Sequence, residues 1–143
     1  MAENVIIPDK IKLFHIDVVS KYINDKTIDK NLNLEFSVAH NTKHNLKDKR
    51  IKIELFINLL SHQEIGVKFH IDFHYNITDL ENYYELDENK IPLFSGQFIA
   101  TLLGISFSTA RGLIFQQLQE TNFKGIILPV VSPLKMLASK KEV

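Results

Sequence analysis

Strict alternation of apolar and polar residues dominates the first half of the chain. Leu32, Leu34, Phe36 and Val38 alternate with Asn33, Glu35 and Ser37. Ile51, Ile53, Leu55, Ile57 and Leu59 recur on every second position, against Lys52, Glu54 and Asn58. Val67, Phe69, Ile71, Phe73, Tyr75 and Ile77 do the same, against Lys68, His70, Asp72, His74 and Asn76. Successive side chains of a strand point to opposite faces, so period two predicts half-buried strands and is incompatible with an amphipathic helix. A further segment, 11–23, has strand character with a mixed pattern. The links between the four are short and polar: 24–29, 41–49 and 61–64, with Gly66 just beyond. Short links favour an antiparallel meander. Its apolar face must be covered by another layer.

The period then changes. After a polar stretch, 78–90, Pro92 and Ser95 are start signals for a helix through Leu103, with Gly104 as its stop. Ser106 or Ser108 can cap a second helix to about Gln119, with Phe107, Ala110, Ile114 and Leu118 on one stripe. An extended apolar run, 126–131, leads to Ser132-Pro133, an N-cap with proline in the first turn of a short last helix through Ala138. The expected fold class is α+β: a four-stranded antiparallel sheet, strands about 11–77, packed against C-terminal helices, about 95–138. A chain of 143 residues fits a single domain, 1–143.

Composition narrows function. Lysines and arginines number 17 and acids number 17, so the net charge is zero. Nucleic-acid binding draws most of its affinity from a basic excess, and that excess is missing, so no nucleic-acid partner is expected. There is no cysteine, which removes disulfides, thiolate metal sites and thiol nucleophiles. The start of the chain lacks the basic and apolar regions of a signal peptide. No run reaches the ~20 apolar residues of a membrane span, so no membrane insertion is expected and the location is read as cytoplasmic.

No residue constellation marks an enzyme. There is no nucleophile elbow, no phosphate-binding loop and no dinucleotide fingerprint. Glu81, Glu85, Asp87 and Glu88 fall in one polar stretch and are read as solvated. The most suggestive cluster is His70, Asp72 and His74, which share one strand face and are competent metal ligands. The competing reading is the solvated face of a sheet, and it is preferred, so no catalytic residue, metal or cofactor is assigned. Arg111 interrupts an apolar helix, either reaching to its edge or docking on a partner. Phe14, Ile16 and Val18 oppose Leu13 and Val19 in the first strand, and Phe56 and Leu60 occupy the polar phase of the third. Strands apolar on both sides need cover on both faces, which one chain with this little helix cannot supply. The second apolar surface is then expected to serve oligomerisation or ligand capture. A bulge in the first strand is the alternative, since it switches phase.

The segment from Phe98 through Arg111 to Leu118, followed by Ile127-Leu-Pro-Val-Val-Ser-Pro-Leu-Lys-Met-Leu137, resembles the SecB family of export chaperones and SecB-like proteins. The order of elements is similar from about Lys10 to Ala138. The resemblance implies a holdase that binds unfolded or nascent polypeptides without cofactor or nucleotide, as a homodimer or homotetramer. Candidate client contacts are Phe14, Ile16, Phe56, Phe94, Leu134 and Met136. Leu102, Leu103, Phe107, Arg111, Ile114 and Phe115 are candidates for the oligomer interface, the apolar ones equally for core. Export members resemble strongly acidic proteins, whereas this chain is neutral, with lysines at 47, 49, 52 and 68. The export motor ATPase is therefore a doubtful partner, and a SecB-like relative with a dedicated client fits better. Some such relatives guard toxin–antitoxin pairs. A non-catalytic adaptor for one folded partner is the second expectation, and a small metal-dependent enzyme the third.

Overall fold

A computed structural model describes residues 5–24, 34–61 and 64–138. The long strands are β1 (Ile11–Ile23), β2 (Glu35–Asn45), β3 (Arg50–Ser61) and β4 (Glu64–Ile77). A 3-10 turn at Leu80–Tyr83 leads into a small hairpin, β5 (Tyr84–Leu86) and β6 (Pro92–Phe94). Two helices follow, α1 (Gly96–Gln117) and α2 (Pro133–Ala138). The expected α+β class and its four-stranded antiparallel sheet are present.

The sheet order is β1-β4-β3-β2, with every pair antiparallel. This corrects the expected four-strand meander. Only β2-β3-β4 are joined by tight hairpins, and β1 lies beside β4 on the far edge. Read from β4 backwards this is a Greek-key order, in which the odd strand returns to the far side of the meander. The residues linking β1 to β2 lie largely outside the described chain.

The predicted alternation of β3 and β4 is realised completely. Ile51 to Leu59 and Val67 to Ile77 turn their apolar phase inward and are buried. α1 lies over them, burying Phe98, Leu102, Leu103, Phe107, Ala110 and Ile114. Inside this layer the Tyr75 hydroxyl donates to the Leu102 carbonyl at 3.3 Å and bonds Ser106 Oγ at 2.7 Å. Burial pushes the Tyr75 phenol up to about 12, against the opposing effect of Ser106.

Three local readings change. First, α1 is one helix, not two. Gly104 is no stop: a Cβ there would lie 3.1 Å from Pro133 Cγ, so the missing side chain lets α2 dock on α1. Ser95 is the N-cap, accepting from the Phe98 amide at 3.3 Å. Second, β2 continues through 41–45, expected to be a link. Its inward positions there are polar, which hides the strand. His40 is buried and donates Nε2–H to the Met136 carbonyl at 2.6 Å, and the His44 ring lies 5.6 Å from that of Phe94. Third, the stretch after β4 holds the β5–β6 hairpin, turned by Asp87 Oδ1, which accepts from the amides of Asn89 and Ile91.

Ser132 and Pro133 begin α2 as expected, with Ser132 Oγ accepting from Lys135 N at 3.4 Å. The Leu128 side chain is buried while Ile127 and Val130 are exposed. By length and composition α1 is apolar enough to cross a membrane, unlike the sequence expectation, but half of that window is buried against the rest of the chain.

Candidate functional site

The sheet face away from α1 carries the polar phase of each strand. Cross-strand register arranges it in rows. One row runs Lys43, Lys52, His74, His15 from β2 to β1. The next runs Asn41, Glu54, Asp72, Asp17, and the one after it Ala39, Phe56, His70, Ser20. Like charges directly opposite one another repel, so the lysine pair is tolerable only because a carboxylate row adjoins it.

That row is tied together. Lys52 Nζ lies 3.2 Å from Glu54 Oε2 and 3.8 Å from Asp72 Oδ2, and Lys43 Nζ is 3.8 Å from Glu54 Oε2. Asn41 donates to Glu54 Oε1 at 3.2 Å, and His70 Nε2–H donates to Asp72 Oδ1 at 2.9 Å. Glu54 and Asp72 are both buried. Burial pushes the Glu54 carboxyl up, but the hydrogen bonds from Lys52 and Asn41, with the charges of Lys52 and Lys43, outweigh it and hold it below its usual value.

The expected His70, Asp72, His74 cluster is rearranged by this register. His70 and Asp72 meet Glu54, with ligand atoms all within 4.8 Å of one another. His74 turns instead toward His15, ring centroids 5.3 Å apart, and Phe14, 6.1 Å away. Lys52 already contacts both carboxylates, so a metal ion there would have to displace an ammonium. The donor set fits an ion-pair network better than a metal centre.

β1 is an edge strand with two irregularities, at Phe14 and at Val19. Each extra residue switches the phase, so Ile11, Leu13, Ile16, Val18 and Ile23 share the inward phase while Lys12, His15, Asp17, Ser20 and Tyr22 take the outward one. The mixed pattern of the sequence is thus a doubly bulged strand. The bulges do not hide the apolar side chains. Phe14 is 42% exposed, Val18 38%, Val19 47% and Tyr22 51%. Among the described residues no strand pairs with the outer edge of β1.

The residues expected to touch a client are scattered. Phe14 is exposed on the polar face, under the Arg50 guanidinium, whose carbon stands 4.9 Å from the ring centroid. Phe56 is half-buried on the same face and stacks on His70 at 4.4 Å. Leu134 is exposed on α2, beyond the other side of the sheet. Ile16 and Phe94 are half-buried against the core. Met136 is buried, because α2 turns it under β2, and this corrects its expected exposure to a client.

The expected oligomer contacts divide as well. Leu102, Leu103, Phe107 and Ile114 fill the core of one chain, the second of the two roles expected for them. Arg111 is half-buried and donates Nε–H to the Leu128 carbonyl at 2.9 Å, so it pins the extended segment to α1. Phe115 is exposed, as is Ile105 earlier in α1. Tyr22 and Arg50 escaped the sequence reading. Their only signal is position and rarity: Tyr22 lies in the mixed-phase strand, and Arg50 is one of only two arginines.

No family model matches the sequence, and no curated protein matches it significantly. Solved structures do match. One is the SecB-like chaperone of Mycobacterium tuberculosis in complex with a ChAD peptide from the HigA1 antitoxin. The likeness has a TM-score of 0.56 at 9% identity and covers 87% of this chain and 90% of that one. At that identity the two share a fold, and the fold of this chain is SecB-like.

Proposed function

We propose that this chain is a SecB-like holdase that binds unfolded or extended polypeptide, with a dedicated client rather than a general clientele. The observation that carries the reading is the open, doubly bulged β1 edge with Phe14, Val18, Val19 and Tyr22 exposed along it. An edge strand offers unpaired amides and carbonyls, which folded proteins normally blunt. An extended chain can use that edge, its main chain pairing with β1 and its apolar side chains burying against the exposed ones. Such burial gains ~25 cal/mol per Å² of apolar surface, less the cost of ordering the client.

Phe14 is the client contact retained from the sequence reading, with Leu134 as a second apolar site. We place the protein in the cytoplasm as a homodimer or homotetramer, with the exposed Ile105 and Phe115 of α1 as assembly contacts. No residue is assigned a catalytic role. The antitoxin peptide bound by the structural neighbour supports a peptide client.

The test is suppression of aggregation of a chemically unfolded client, without nucleotide. The expected result is suppression at near-stoichiometric ratio, weakened by Val19→Asp and Tyr22→Asp. Failure with several unfolded clients, alongside tight binding of one folded protein, would select the adaptor reading instead.

A further inference from the structure

The polar sheet face has a feature that holding apolar segments does not require. A cleft of about 230 Å³ opens beside the Phe14 bulge, with Phe14, Lys43, Asn45, Arg50, Lys52 and His74 among its walls. It collects three permanent cations from two strands. Lys52 is committed to Glu54 and Asp72, and Lys43 shares Glu54 at the longer distance of 3.8 Å. Among the described residues no carboxylate pairs with Arg50, whose guanidinium lies instead over the Phe14 ring. A cation–π contact uses none of the guanidinium's hydrogen-bond donors, so Arg50 can still receive a carboxylate in a two-pronged contact.

We propose that this cleft is a recognition site for an acidic protein segment, one or two carboxylates next to an apolar residue. The carboxylate would meet Arg50 and Lys43, and the apolar neighbour would pack on Phe14. Two observations favour a short acidic peptide over a longer polyanion. The Glu54, Asp72 and Asp17 row lies directly beside the cations and repels any negative charge extended along the strands. The whole chain is neutral, without the basic excess that nucleic acid demands. Phe14 belongs both to the cleft and to β1, so one extended chain can place main chain on the β1 edge and a carboxylate in the cleft. This assignment deepens the holdase reading by naming a client chemistry, but binding at the cleft can be measured independently of it.

The experiment is fluorescence anisotropy with a short labelled peptide carrying Glu-Glu-Leu in a Ser/Gly frame, beside its Gln-Gln-Leu counterpart. The Glu peptide is expected to bind about tenfold more tightly, since charge-assisted hydrogen bonds exceed neutral ones. Arg50→Ala and Lys43→Ala should each remove most of that preference. Lys68→Ala, at the other end of the same face, should leave it intact, and thermal melts confirm that each variant is folded. Equal binding of the two peptides overturns the proposal, as does a preference that survives Arg50→Ala and Lys43→Ala together. Tighter binding of an RNA oligomer of matched charge overturns it as well. Aggregation suppression measured on the same proteins separates the two readings. Suppression without acid preference sinks the cleft alone, whereas acid preference without suppression sinks the holdase alone.

Discussion

Glu54 shows how much a single side chain on the polar face is constrained. It is buried, yet Lys52, Lys43 and Asn41 surround it and hold its carboxyl below the usual value of 4.5. A depressed carboxylate contributes stability above its unfolded pKa and loses it as pH falls through the folded value. Glu54→Gln should therefore destabilise at pH 7 by about 1.5–3 kcal/mol, the range for hydrogen bonds to charged groups. The gap between variant and parent should close below pH 4.5, as the parent itself protonates. Urea titrations across that range check it, and a gap that widens in acid would contradict the ion-pair account. This residue was illegible from sequence as part of any cluster. His70 and Asp72 announced themselves by lying on one strand, whereas Glu54 joins them only through β3–β4 register. Cross-strand neighbours are a property of pairing, which one strand's pattern does not encode.

Two of the three glycines of α1, Gly104 and Gly112, separate packing from propensity. Gly104 lies under Pro133, where Leu would force apart α1 and α2 at a cost of about 1–3 kcal/mol. At Gly112 an added Cβ meets nothing within 4 Å, so Gly112→Ala should stabilise by roughly 0.5–1 kcal/mol through helix propensity. Denaturant midpoints should therefore move in opposite directions, and a shift of the same sign at both would show that propensity alone governs this helix. From sequence both glycines look alike, and Gly104 was read as a stop because the close approach of α2 is a tertiary fact. The alternation of β3 and β4 was fully legible because both strands cover one core with one phase. β2 was legible only through Val38, since His40 and His44 turn polar side chains inward and find partners on α2 and β6. The mixed phase of β1 was visible, and its cause, two bulges, was visible only as one alternative.

The whole molecule presents two unequal sides. α1, α2 and the hairpin close one side of the sheet, while the other keeps a row of cations, a row of carboxylates and an open edge. Apolar exposure at β1, together with Ile105 and Phe115 on α1, leaves surface that self-association would cover. Light scattering at micromolar concentration should give a dimer or tetramer, and a monomer there would remove the assembly proposal. Sheet order carries a further consequence, in time. Ile11 pairs with Ile77 and Ile23 with Val67, so β1 leaves the ribosome before the other three strands and meets β4, its one partner among the described residues, after the rest of the sheet has been made. At a synthesis rate of ~5–20 residues per second it waits for seconds with its bonding groups unmet. Contacts this distant along the chain also slow folding. The strand proposed to receive extended clients is thus itself an extended client during its own birth, and the last of the four to be secured.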